Sequence, residues 1–369
     1  MSDVPDVLDT LLALQEVSEN ALAAAANSQQ ATKEVTIADP PPELLHAVEP
    51  NFVEGYDVDI EEVWDAYKRG ENILIVGPPG TGKSSLAFHM LDRANESIRK
   101  GNREIYEKNL ALLKKGKTEK DLIPYKDIPY HHRYTGCSSG IRNEHIIGTV
   151  KFKATDTGRD VIEVLGDGSD AFANGKTWIL DEVMAGPPDV MIGAHQFLDR
   201  RVQATDIFIN GPMTLRRHSR FRVIATDNTW GLGENAAEFA GTQLHNGAFL
   251  NRFTYRVELD YLKPIHETSV IMKSYSAAWQ PAVDKMVEIA NKLRQDKKTG
   301  VITQAMTTRT LLSWVRECLD REKRIEKTGE KPRRDIKTYW NSVVFPAVFP
   351  TYLTGNPDAM SIQTYFEMK

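Results

Sequence analysis

Short apolar runs, each ended by glycine or polar residues, recur through the middle of the chain. Ile73-Leu74-Ile75-Val76 runs into Gly77 and two prolines. Trp178-Ile179-Leu180 runs into Asp181-Glu182, and 221–225 runs into Thr226-Asp227-Asn228. Runs this short, apolar on consecutive positions, suit strands covered on both faces, as in a parallel sheet. Residues 130–134 and 254–259 are two further strand candidates. A stretch with helical spacing from Ser84 to about Ile98 follows the first run. The alternation predicts βαβ units and an α/β fold with a parallel sheet. Two hairpin signals interrupt it: 150–164, with Thr157-Gly158 at the turn, and 202–217, with Asn210-Gly211. After Pro264 the pattern is mainly helical through about residue 325.

The flanks differ. Val7, Leu8, Leu11, Leu12, Leu14 and Val17 have roughly helical spacing, which predicts a short amphipathic helix. A polar and then proline-rich stretch through Pro40–Pro42 reads as a linker. Residues 99–128 are rich in Lys and Glu and read as an exposed helical insertion. The expected organisation is an acidic helix and linker at 1–45, an αβα domain at 46–263 and a helical lid with a C-terminal extension at 264–369.

Charge sharpens this picture. The chain carries a net charge of −5, but residues 1–70 hold 15 acidic and 3 basic residues, leaving the remainder net basic. That is an acidic arm on a mildly basic body. Two cysteines, Cys137 and Cys318, exclude a disulfide framework and a Cys-based zinc site. The histidines lack metal-site spacing. The acidic start is unlike a signal peptide, and no apolar run approaches the ~18 residues of a membrane span. These features predict a cytoplasmic protein with no membrane partner.

The candidate chemistry sits at the ends of the strands. Residues 77–84, Gly77-Pro78-Pro79-Gly80-Thr81-Gly82-Lys83-Ser84, match the G-x-x-x-x-G-K-[ST] phosphate loop, and Ser85 follows. The glycines let backbone N–H groups turn toward phosphate oxygens, and a helix N-terminus adds its dipole. Lys83 would contact the terminal phosphates of ATP, and the Ser84 hydroxyl would ligate Mg2+. Asp181 and Glu182 end an apolar strand about a hundred residues later, as in a Walker B motif. Asp181 would hold Mg2+ and Glu182 would polarise the attacking water. Asn228 ends another strand and could orient the water or the γ-phosphate, although a turn-forming role is the plainer reading of a lone Asn. Chemistry alone does not single out Arg252, before the last strand, or Arg309, at the start of a helix.

The segments LDEVMAGPPDVMIGAHQFLDRR (180–201), FRVIATDNTWGLGENAAEFAGTQLHNGAFLNRF (221–253) and TTRTLLSW (307–314) resemble the AAA+ ATPases of the MoxR branch, most closely its CobS type. The resemblance covers roughly residues 50–320. It implies that Asn228 is sensor 1, that Arg252 is an arginine finger serving a neighbouring subunit, and that Arg309 is sensor 2. Arg200 and Arg201 are second-choice trans arginines. The two hairpins match the helix-2 insertion and the insertion before sensor 1. A homo-oligomeric ring, most often a hexamer, is implied, with a von Willebrand A-domain or metal-chelatase type of partner to remodel. A nucleic-acid motor or a defence-system ATPase is the alternative, motivated by the basic body. No stretch combines clustered Lys/Arg with regularly placed aromatics, so nucleic acid is not the favoured partner. A small-molecule kinase is a third reading, which the sensor and finger residues disfavour.

Overall fold

The computed structural model describes residues 40–50, 52, 54–155, 158–228 and 247–367. The predicted N-terminal helix and the GLGENAAEF and GTQ segments lie outside the described residues.

The described residues divide into two units. The smaller comprises 40–45 and 100–127. Within it Asn102, fully buried, donates to Leu44 O (3.1 Å) and Lys126 O (2.8 Å) and accepts from the Lys126 N–H (2.9 Å). Asn109 clasps Ile123 in the same two-bond way (2.9 and 2.9 Å). Buried amides thus satisfy a returning chain that has no sheet partner.

The larger unit spans 46–99 and 128–367. Its helix α1 (Ile60–Lys68) is capped by Asp59, whose side chain accepts from the Glu61 N–H at 2.9 Å. A five-stranded parallel sheet follows, in the order β2 (His132–Gly136), β5 (Thr177–Asp181), β8 (Arg222–Asp227), β1 (Asn72–Val76) and β9 (Tyr255–Glu258). Hairpins β3 (Gly148–Thr155) with β4 (Gly158–Leu165) and β6 (Ala204–Phe208) with β7 (Pro212–Arg216) stand outside the sheet. Consecutive apolar positions in the central strands serve opposite faces. Ile73, Ile75, Ile179 and Ile224 pack with Leu86 and Met90 on one side. Leu74, Trp178, Leu180 and Val223 pack with Phe172, Phe197 and Phe221 on the other. Each such aliphatic side chain contributes about 1.5–3 kcal/mol on burial.

Three differences from the sequence pattern have physical causes. The strand expected at 130–134 lies at His132–Gly136, an edge strand exposed at four of its five positions, where hydropathy carries little register information. The helix expected to end near Ile98 runs unbroken as α2 (Lys83–Lys114), so much of the charged insertion is its continuation. Beyond residue 325 the chain remains largely helical. There the segments Trp340–Val344 and Phe349–Leu353 open into wider π turns beside Pro346 and Pro350, which have no N–H to donate.

The other labelled helices are α3 (Asp167–Asn174), α4 (Pro188–Leu198), α5 (Pro264–Ser274), α6 (Gln280–Lys298) and α7 (Thr308–Glu326). The last three surround a core of Leu293, Leu311, Trp314, Trp340 and Phe366. Trp314 and Trp340 bury their rings and still donate from Nε1, to Val344 O (2.8 Å) and Phe366 O (2.6 Å).

Candidate functional site

The parallel register brings the polar strand ends together. Val76 lies opposite Asp227 on one side and Glu258 on the other, and Leu180 lies opposite Ala225. The phosphate loop, the Asp181-Glu182 pair and Asn228 therefore meet at the carboxyl edge of the sheet, where open α/β folds bind ligands.

The loop turns on three glycines at positive φ: Gly77 (150°), Gly80 (73°) and Gly82 (88°). Space is as restrictive as the torsion. A Cβ on Gly77 would strike the Leu259 carbonyl, and one on Gly80 would come within 2.7 Å of the Thr307 side chain. Lys83 opens α2 and folds back over the loop. Its Nζ donates to Gly77 O (2.8 Å), Pro78 O (2.9 Å) and Asn228 Oδ1 (2.8 Å). Burial pushes the ammonium down to about 8, against the upward pull of Asp227, Asp181 and Glu182.

Asp181 accepts from Ser84 Oγ (2.8 Å), Thr226 Oγ1 (2.5 Å) and Tyr134 Oη (2.5 Å). Burial alone would raise its pKa. The hydrogen bonds from Thr226, Tyr134 and Ser84, with the charge of Lys83, outweigh burial and hold it below the usual carboxylate range. Glu182, one residue on, has a left-handed backbone (φ 53°, ψ 51°), unique among the described non-glycine residues. Such a conformation costs on the order of 1–3 kcal/mol and is typical of functional sites. Asn228 Nδ2 donates to Glu182 Oε1 at 3.3 Å. Asn228 thus bridges Lys83 and Glu182.

Next to the loop lies a cleft of about 250 Å³ lined by Tyr56, Gly80, Gly82, Leu262, Thr308 and Arg309, among others. Arg309 is exposed at the start of α7. Arg252 is elsewhere. Asn72, at the amino end of β1, donates to Arg252 O (2.8 Å), and the Arg252 guanidinium pairs with Asp199 Oδ2 (2.6 Å). The five residues of β1, at about 3.3 Å each, separate it from the loop. Arg201 also pairs with Asp199, and Arg200 donates to Arg69 O.

Several residues escaped the sequence pattern. Tyr134 and Thr226 hold Asp181 from neighbouring strands. Tyr261 donates to Pro79 O (3.1 Å) from the segment that enters α5. The Arg294 guanidinium lies 4.0 Å from the Tyr261 ring centroid and forms a buried bidentate pair with Glu267 (2.7 and 2.7 Å). Thr308 Oγ1 donates to the same carboxylate at 2.6 Å. A polar chain thus runs from the phosphate loop to the turn that carries Arg309. No periodicity encodes it, because its members come from four separate segments. Both cysteines are buried and free, and no His/Cys/Asp/Glu cluster suited to a metal occurs among the described residues. No helix among them is long and apolar enough to cross a membrane.

Sheet, phosphate loop, acidic pair and C-terminal helical region define the class: a P-loop fold of the AAA+ type. No family model matches the chain. Among curated proteins it is 30% identical over 148 residues to the aerobic cobaltochelatase subunit CobS of Sinorhizobium sp., a match covering 39% of this chain and 44% of that protein. It is 24% identical over 264 residues to the uncharacterized protein YojN of Bacillus subtilis, covering 70% and 72%. Among solved structures, a mutant of Thermotoga maritima RuvB aligns at 12% identity and a TM-score of 0.44, covering 77% of this chain and 66% of that one. The match thus spans less than half the length of CobS. The chain has an AAA+ type of fold and is similar to CobS over that stretch.

Proposed function

We propose that the protein is a Mg2+-dependent ATPase of the MoxR type, working as a ring of identical subunits that remodels a partner protein. The observation that carries this reading is the single hydrogen-bonded network of Lys83, Ser84, Asp181, Glu182, Thr226 and Asn228 at the ends of three adjacent strands. Ser84 Oγ and the Asp181 carboxylate are hard oxygen donors side by side, which fits Mg2+. When bound, that ion would neutralise charge on the β- and γ-phosphates. Lys83 binds the same phosphates, Glu182 takes the proton of the attacking water, and Asn228 fixes Glu182 against Lys83. Arg309 contacts the nucleotide from the lid. Arg252, one strand length from its own loop, serves the adjoining subunit. By resemblance the ring is a hexamer, and its partner carries a von Willebrand A-type domain or is of chelatase type.

A trans arginine makes activity depend on assembly. ATP turnover per subunit is expected to rise steeply with protein concentration and to vanish in EDTA. Constant specific activity in a chain that sediments as a monomer would refute the ring. To identify the partner, Glu182→Gln held in ATP serves as bait. Recovery of a von Willebrand A-domain or chelatase-type protein supports the reading, and recovery of nuclease-sensitive nucleic acid overturns it in favour of the motor.

Lys83 provides a pH signature. Its ammonium titrates near 8 in the free protein, and phosphates favour the charged form. ATP binding at pH 8–8.5 should therefore take up a fraction of a proton, falling toward zero near pH 6.5. Calorimetry in two buffers of different ionisation enthalpy measures this, and Lys83→Arg should abolish it.

Tyr261→Phe tests the polar chain to the lid. Loss of the bond to Pro79 O should weaken ATP binding by roughly 2–10-fold, the worth of one neutral hydrogen bond. The melting temperature should change little. Unchanged nucleotide affinity would make the contact incidental.

A further inference from the structure

Away from the phosphate loop, at the amino edge of the sheet, Arg69, Arg200, Arg217 and Arg222 line a cavity of about 240 Å³ together with His218. The arginines gather there because two helices end there. Arg222, the first residue of β8, donates to Tyr67 O (2.6 Å) and Lys68 O (3.1 Å) at the end of α1. Arg217 donates to Phe197 O (3.1 Å) near the end of α4, with its guanidinium 4.8 Å from the Phe221 ring centroid and 5.6 Å from that of Phe172.

These partners satisfy N–H groups but leave most of the charge. Among the described residues, no carboxylate pairs with Arg200, Arg217 or Arg222. Glu71 offsets Arg69 (2.8 Å), and Asp199 is shared between Arg201 (2.8 Å) and Arg252 (2.6 Å). The two helix ends supply about half a negative charge each, which leaves roughly three positive charges in excess across the cavity and its Asp199 rim. Arg217 registers the excess: burial, and then the charges of Arg200 and Arg222, push its pKa down to about 10. A cation forced toward neutrality by its neighbours gains when an anion joins them.

We propose that this cavity is a second oxyanion site, which takes a phosphoryl group through Arg200 and Arg217. Guanidinium groups suit it, since they present paired donors to phosphate oxygens. The site cannot share the nucleotide of its own subunit's phosphate loop. Strand β8 runs from Arg222 at the cavity to Asp227 beside the loop, roughly 17 Å of extended chain. The phosphoryl group is that of a free phosphate ion, which needs no second copy of the chain.

The full chain carrying Lys83→Ala lacks the phosphate-loop cation and isolates the second site. Inorganic phosphate, titrated at constant ionic strength against chloride, is expected to bind it saturably by calorimetry. Adding Arg200→Gln, an exposed position, is expected to weaken binding roughly tenfold, as loss of one charge-assisted hydrogen bond does. A second measurement needs no variant at the site. Arginine-directed dicarbonyl labelling, mapped by mass spectrometry, should slow at Arg200 and Arg217 in phosphate and stay constant at exposed Arg316. In the wild-type chain, protection by phosphate at every protein concentration supports the site. Protection by ATP alone, appearing only where copies associate, overturns it in favour of the trans role that the resemblance implies for Arg200. Phosphate binding that is absent, matched by chloride or unchanged in Arg200→Gln also overturns the proposal, as does labelling that phosphate does not slow.

Discussion

Glu182→Gln is expected to bind ATP and leave it unhydrolysed. The amide keeps the size of the side chain and an oxygen for the Asn228 bond at 3.3 Å, but it cannot take a proton. Turnover should fall by roughly 10²–10⁴, the usual contribution of a general base. ATP affinity should stay within a few-fold of wild type, because Lys83 and the loop glycines are untouched. Quench-flow measurement of a single turnover, beside equilibrium binding of labelled ATP, separates the two steps. Near wild-type turnover would remove Glu182 as the base. A parallel loss of binding would make its role structural. The backbone sharpens the test: Glu182 sits at φ 53°, and the substitution does not relieve that strain. Any loss therefore reports on the carboxylate.

The residues of this network differ in how readable they were. Gly77 to Ser84 and Asp181-Glu182 lie within contiguous motifs, so spacing alone exposes them. The central strands were readable because both faces are buried, which makes their composition apolar at every position. The strand candidate at 130–134 starts two residues ahead of β2, an edge strand that is polar along most of its length. Asn228 was readable only as a strand end. Its bonds to both Lys83 and Glu182 depend on the β1–β8 register, which no local pattern fixes. Tyr134, Thr226 and Tyr261 were not readable, since each meets the site through tertiary packing. The same holds for the Arg294–Glu267 pair. It lies in helices whose periodicity predicts a core, but a buried ion pair leaves no periodic mark of its own. The arginine cavity was visible only in part, as an overall basic excess after residue 70 that includes Arg200. Arg69, Arg217 and Arg222 join Arg200 because α1 and α4 end at the same edge.

Arg252→Ala is expected to abolish turnover and to be rescued by a second inactive variant. An arginine finger is worth about 10³–10⁵ in rate, so the pure variant should be nearly silent. Its own nucleotide site should bind ATP normally, because the Arg252 backbone sits at the amino end of β1 and the loop at the carboxyl end. In the isolated subunit Asp199 holds the guanidinium, and that carboxyl lies well below the usual range because of Arg201 first and then Arg252. Removing Arg252 therefore leaves Asp199 paired with Arg201 and does not strand a buried charge. Mixing with Lys83→Ala supplies intact arginines from subunits whose own loops are dead. In a head-to-tail ring assembled at random from equal amounts, about one interface in four combines a working loop with a working finger. Activity should reappear on mixing, peak near equal proportions and disappear again at either extreme. A cis role predicts no recovery at any ratio, because no subunit in the mixture would own both groups. Sedimentation of the mixed sample keeps the outcome decisive: silence in a mixture shown to assemble refutes the trans assignment, whereas two silent proteins that become active together require a site built from two copies.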